Sequence, residues 1–256
     1  MQHEIVSRED WTKARIALLA REKAFTHAQE EISAERRALP WVKVEKEYTF
    51  DSRSGKMTLS DLFDGRSQLF IKHFMMAPGQ EQQCVGCTLE VDHVEGLLEY
   101  LQSNDVSYVA VARAPIKEIE TLRKAMGWRF PWVSSFHSDF NYDFNVSFTP
   151  KEVADQNAYY NFKRTDPGLE DLSGESVFYK DDDGQIYHTY SAFSRGGEQF
   201  LGIYGYFDVM PKGRNETGPH HNLVDWARPR PMYGKGGTVG NNGRYHAADC
   251  ACSAHK

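Results

Sequence analysis

Gln68-Leu69-Phe70-Ile71-Lys72-His73-Phe74-Met75-Met76 runs up to Cys84-Val85-Gly86-Cys87, and Leu89, Val91, Val94, Leu97, Leu98 and Leu101 follow at helical spacing. The first segment has the apolar density of a mostly buried strand, and the last keeps its apolar residues on one helical face. A Cys-x-x-Cys between a strand and a helix in a βαβ setting is a redox signature. The free N–H groups and dipole at a helix start favour a thiolate, the attacking species in disulfide exchange and the ligand of soft metals.

Downstream, Val106 to Arg113 reads as a second strand rich in β-branched residues. Pro115 to Gly127 reads as a helix opened by proline and closed by glycine, with Ile116, Ile119, Leu122 and Met126 on one face. Strand, helix, strand, helix over 68–127 implies a parallel βαβ core. Phe130 to Ser135 is a further strand-like piece. Residues 149–173 form a polar, Tyr-rich insertion with short helical structure. Ser176–Lys180 and Gln185–Ser191 flank an Asp-Gly turn, the pattern of a β-hairpin. Phe200 to Val209 is an apolar helix or strand, and from Arg228 onward proline and glycine predict an irregular end.

Upstream, residues 9–38 predict a helix with Trp11, Ile16, Leu19, Phe25 and Ile32 on drifting apolar positions among charges. Leu39-Pro40-Trp41 stops it. It reads as a peripheral extension that packs on the domain or on a second copy in a homodimer. Val42 to Phe50 and the turn at 51–56 suggest a short strand pair. The division is therefore a helical extension over 1–40, an α/β domain over 41–232 and an irregular tail over 233–256.

The 256 residues carry 26% charged and 40% hydrophobic side chains, ordinary for a globular chain. A formal charge of −6 argues against a nucleic-acid surface. No apolar run reaches the ~20 residues that span a bilayer. The polar, acidic segment Met1 to Asp10 lacks the order of a secretory signal, and four cysteines do not make a disulfide framework at this length. The expected location is cytoplasmic, without nucleic-acid or membrane partners.

Strand, Cys-x-x-Cys at a helix start, strand, helix and a final hairpin is the order of a thioredoxin fold. Ile71–Met76, Cys84–Thr88, Phe136-His137-Ser138-Asp139-Phe140-Asn141-Tyr142-Asp143-Phe144 and His221-Asn222-Leu223-Val224-Asp225-Trp226 together resemble a thioredoxin-like DUF family. That family is bacterial and fungal, and its function is unknown. The resemblance covers roughly residues 10–232 and implies an α/β thioredoxin-like fold, a central mixed sheet flanked by helices, behind the helical extension. Two departures stand out. Thioredoxins place the first cysteine almost directly after the central strand, whereas Ala77–Gln83 intervenes here, as in peroxiredoxins. The peroxiredoxin pattern Pro-x-x-x-Thr/Ser-x-x-Cys is not met, because Gln82 and Val85 occupy its positions after Pro78.

Three readings follow. In the first, the chain is a thiol oxidoreductase acting on a small-molecule or thiol substrate: one of Cys84 and Cys87 attacks, the other resolves, and His137 or His73 tunes the thiol. Pro131 is then the candidate for the cis-proline that faces the motif in thioredoxin folds. In the second, Cys84, Cys87, His137 and His73 bind copper or zinc, since thiolates and imidazoles suit both ions, in a metal-dependent oxidase. Copper-carrying thioredoxin-fold proteins combine a short Cys motif with a distant His in this way. In the third, the cysteines are incidental to a non-catalytic binding module. His93 is placed on the exposed face of its helix, and His188 in the hairpin is a further histidine whose role is open. His220, His221, Cys250 and Cys252 are additional candidate ligands, and the last two are candidate resolving thiols.

Overall fold

The computed structural model describes residues 3–248. In chain order its elements are α1 (Arg8–Arg37), β1 (Val42–Lys43), β2 (Thr49–Ser52), β3 (Gly55–Thr58), β4 (Gln68–His73), β5 (Gln83–Cys84), α2 (Val85–Val94), α3 (Leu98–Ser103), β6 (Val106–Ala112), α4 (Ile116–Met126) and β7 (Trp132–Ser134). There follow α5 (Phe140–Asp143), α6 (Pro150–Ala154), β8 (Ala158–Tyr160), β9 (Lys163–Thr165), β10 (Gly174–Lys180), β11 (Ile186–Phe193), α7 (Gly202–Phe207), β12 (Thr238–Val239) and β13 (Arg244–His246).

The chain divides into two compact units at Trp41 and Val42. The first is α1, capped by Ser7, whose side chain accepts from the Asp10 N–H; it buries none of its residues. The second holds a sheet of order β1-β11-β10-β4-β6-β7-β2-β3. β4 runs parallel to β6 and antiparallel to β10, and β10 pairs antiparallel with β11. The succession β4, α2–α3, β6, α4, β10, β11 is the thioredoxin-like core implied by the motif order.

Strand alternation divides β4 between two cores. Leu69 and Ile71 join Val109, Val111, Phe140 and Phe178 on one face. Phe74, Ala110 and Ala112 face the helices with Cys84, Cys87, Val91, Ile119 and Trp128 on the other. Apolar residues continue at helical spacing to Leu101, but the helix breaks between α2 and α3. Gly96 lies in that break, where its backbone freedom makes helix costlier than for other residues.

Two segments differ from the sequence expectation. The insertion at 149–173 contains the hairpin β8–β9 besides the short helix α6. The tail expected to be irregular from 233 forms β12 and β13, and β13 pairs with β5. Local composition misses this because Gly and Pro frame strands only two or three residues long, and β5, the second partner of β13, is about 160 residues away.

Phe140 is fully buried and meets Tyr48, Phe50, His73, Phe144 and Phe178 ring to ring. Phe140→Ala is expected to lower unfolding stability by about 3–5 kcal/mol, read from chemical denaturation.

Candidate functional site

β4 ends at His73, and the chain loops through residues 74–82 before β5 places Cys84 at the start of α2. Cys84 is the helix cap: its backbone is extended (φ −67°, ψ 116°) and its Sγ accepts from the Cys87 N–H at 3.4 Å. Cys87 follows one turn later, which brings the sulfurs to 3.0 Å, both as free thiols. The Met75 N–H points at Cys87 Sγ (3.5 Å), and Met75 Sδ lies 3.7 Å from Cys84 Sγ. Cys84 is 6% exposed and Cys87 1%. Both line a cavity of about 680 Å3 with Met75, Glu90, Tyr160 and Leu223.

The two thiols are electrically unequal. Cys84 is lowered to about 6, first by the hydrogen bond from the Cys87 thiol, then by the Cys87 N–H and the positive charges of Arg244 and Lys72. Burial and the neighbouring Cys84 push Cys87 well above the ordinary thiol value. The surroundings thus favour the thiolate at Cys84 and the thiol at Cys87.

Below the thiols lies Lys72, completely buried, on the helix-facing side of β4. Its ammonium donates to Glu90 Oε2 (2.5 Å), Glu175 Oε1 (2.6 Å) and Ser173 Oγ (2.8 Å). Burial alone would lower Lys72, but Glu175 and Glu90 outweigh it and hold the ammonium charged. Glu90 is pushed up to about 8 by burial, with Glu175 adding to the rise against the pull of Lys72. Gly197 presses its backbone onto this cluster: a Cβ there would lie 2.8 Å from Glu175 Oε1.

A roof comes from the end of the chain. Arg244 pairs across β13–β5 with Cys84, and the Val85 N–H donates to the Gly243 carbonyl at 3.0 Å. The Arg244 guanidinium donates to the carbonyls of Met75 (3.1 Å) and Gln82 (3.4 Å). Val85, between the cysteines, is fully buried against Ala227 and Tyr245, with Leu223, Val224 and Trp226 around them. Val85 is therefore the motif residue that anchors the roof.

The histidines proposed from sequence do not join the thiols. His73 alternates onto the opposite face of β4 from Lys72, bonds Ser176 Oγ through Nε2 (2.9 Å) and stacks on Phe140. Burial lowers it to about 3, so it is neutral. His137 follows β7, bonds Asp51 Oδ2 on β2 through Nδ1 (2.8 Å) and has a side chain 65% exposed. His93 is half-buried rather than exposed: Nδ1 donates to the Leu89 carbonyl (2.6 Å), while Nε2 accepts from the Ile203 N–H (3.0 Å). His188 bonds Ser191 Oγ within β11. His220 and His221 lie in the loop before Asn222. Cys250 and Cys252 lie outside the described residues. Among the described residues no group of three or more His, Cys, Asp or Glu side chains is placed to hold a metal ion. Pro131 is not the motif-facing cis-proline: no cis peptide occurs among the described residues, and Pro131 lines a pocket with Ser52 and Arg123 away from the thiols. Sequence reading missed Lys72, Glu90, Glu175 and Arg244. Lys72 carried the one available signal, a charged residue inside an apolar strand.

A family model described as a bacterial protein of unknown function (DUF899) matches residues 1–233. The chain belongs to this family. The match ends before β12 and β13, so Arg244 lies outside it. A search of curated proteins finds no match. Among solved structures, the chain is similar to the peroxidoxin BcpB from Mycobacterium tuberculosis, at 15% identity and a TM-score of 0.43 over 64% of this chain and 94% of that one. It is also similar to peroxiredoxin Q from Xanthomonas campestris, at 15% identity and a TM-score of 0.43 over 66% and 94%. No helix among the described residues is long and apolar enough to cross a membrane.

Alkylation of Cys84 by iodoacetamide should reach half its limiting rate near pH 6 rather than near 9, because the reactive thiolate appears as pH rises through its value in the fold. Arg244→Met should move that midpoint upward, and Arg244→Lys should keep most of the effect. Mass spectrometry of pH-jump samples reads both.

Proposed function

We propose that the chain is a thiol oxidoreductase that exchanges electrons with low-molecular-weight thiols and disulfides. The observation that carries this reading is the Cys84–Cys87 pair: two free thiols 3.0 Å apart, one favoured as thiolate and the other as thiol. Two inert core cysteines need no such asymmetry. The 6% exposure of Cys84 at a cavity wall favours a small disulfide over a folded protein surface as its reaction partner.

The Cys84 thiolate attacks one sulfur of a small disulfide RS–SR; a mixed disulfide forms, the RS–SR bond breaks, and RS⁻ leaves to be protonated by solvent. Cys87 then gives up its proton and attacks the Cys84 sulfur, releasing the second RS⁻ and leaving a Cys84–Cys87 disulfide. The protein dithiol loses two electrons and the substrate disulfide gains them. An external dithiol restores the reduced pair by the reverse exchange.

Glu90 is the group suited to take the Cys87 proton. It stands one turn beyond Cys87 on α2, lines the same cavity, and is raised to about 8 by burial, near the working range of a general base. Lys72 is a positioning residue: it holds Glu90 in place and supplies positive charge beneath both sulfurs.

In a chain carrying Cys250→Ser and Cys252→Ser, and with a small aromatic disulfide as probe, Cys84→Ser should abolish release of the coloured thiol, and Cys87→Ser should stop after one equivalent with the mixed disulfide visible by mass spectrometry. Glu90→Gln should leave the first equivalent fast and slow the second by about 10²-fold, read by stopped flow. Release that continues in both cysteine variants would overturn the reading.

A further inference from the structure

α1 is a 30-residue helix that buries none of its residues. Trp11, Leu18, Phe25 and Ile32 recur every seventh residue along it, and they are 51%, 48%, 64% and 48% exposed. A strict seven-residue apolar row is the mark of a helix that packs along another helix. Two further rows flank it. One holds Ala14, Arg21, Ala28 and Glu35; the other holds Ala17, Ala24 and Glu31 and continues to the cap residue Ala38. The stripe is thus large on one side and small on the other, with charge at two places.

The charges identify the partner and its direction. Arg21 and Glu35 stand seven residues on either side of Ala28, in the same row. Neither side chain has an ion-pair partner among the described residues. A parallel in-register pair would set Arg21 against a second Arg21 and Glu35 against a second Glu35. An antiparallel pair with its two-fold axis at Ala28 instead sets Arg21 opposite the partner's Glu35, twice. Sliding that pair by one heptad either way loses both ion pairs.

The same register matches the apolar rows. Residues equally far from Ala28 in opposite directions share a level, so Ile32 faces the partner's Ala24 and Leu18 faces the partner's Ala38. Phe25 then lies along the aliphatic stem of the partner's Glu31. Ala28 meets the partner's Ala28 on the axis, where small side chains allow close approach of the two helices. We propose that α1 is a dimerisation helix, pairing antiparallel with α1 of a second copy of this chain about Ala28. This inference is independent of the thiol chemistry. Closed two-fold pairing of one self-complementary surface is the commonest form of oligomer.

A charge swap with a crosslink tests it on the full chain. Light scattering after gel filtration should give twice the chain mass at micromolar concentration. Arg21→Glu alone and Glu35→Arg alone should each weaken the dimer by roughly tenfold, since two attractive pairs become repulsive. The double variant should restore it. Ala28→Cys should yield, on mild oxidation, a covalent dimer whose linked peptide joins residue 28 to residue 28. All substituted positions are exposed, and circular dichroism verifies that α1 is retained. A monomeric native chain overturns the proposal, as does a dimer indifferent to both reversals or one whose residue 28 does not crosslink to itself.

Discussion

Lys72 is an ammonium taken wholly out of water, and the site is built around the need to satisfy it. An unpaired buried charge costs several kcal/mol, and removing one partner of a buried pair typically costs about 3–5. The demand is met by Glu90 from α2, Glu175 from β10 and Ser173 just before β10. One side chain thereby ties the central strand, its neighbour and the thiol-bearing helix into a single arrangement. The same charge bears on both sulfurs, so the interaction that locates α2 also tunes its cysteines.

The second constraint is the position of Cys84 at a junction. Its backbone pairs with β13, its side chain caps α2, and its neighbour Val85 seats the C-terminal roof. A sulfur held this way lines the cavity, and its environment includes Arg244, contributed from the far end of the chain. The family match ends at residue 233, so the roof's last two strands and the arginine are features of this chain beyond the matched region.

Much of the fold was legible. The βαβ order over 68–127, the hairpin about Asp183-Gly184 and the N-terminal helix rest on apolar periodicity and turn residues, which act locally and appear where the sequence puts them. The Cys-x-x-Cys was legible for the same reason: a helix cap and a one-turn spacing are local geometry. His73 shows where such reading stops. It is adjacent to Lys72 in sequence, yet the pleat sends the two side chains to opposite faces, and nothing local says which face holds the thiols. His137 is near a strand end in sequence, but that strand lies beyond β6 from β4, and its imidazole meets Asp51.

By itself the sequence determined the elements of the βαβ core and the β10–β11 hairpin, the thiol pair at a helix start and the seven-residue apolar row of α1, because each depends on neighbours a few positions away. Only the tertiary structure decided which charges surround the sulfurs. Glu175 lies 103 residues from Lys72, and Arg244 lies 169 from the Met75 carbonyl it bonds. Contacts of that range depend on strand order and on which side chains are excluded from water, and neither is written in local periodicity.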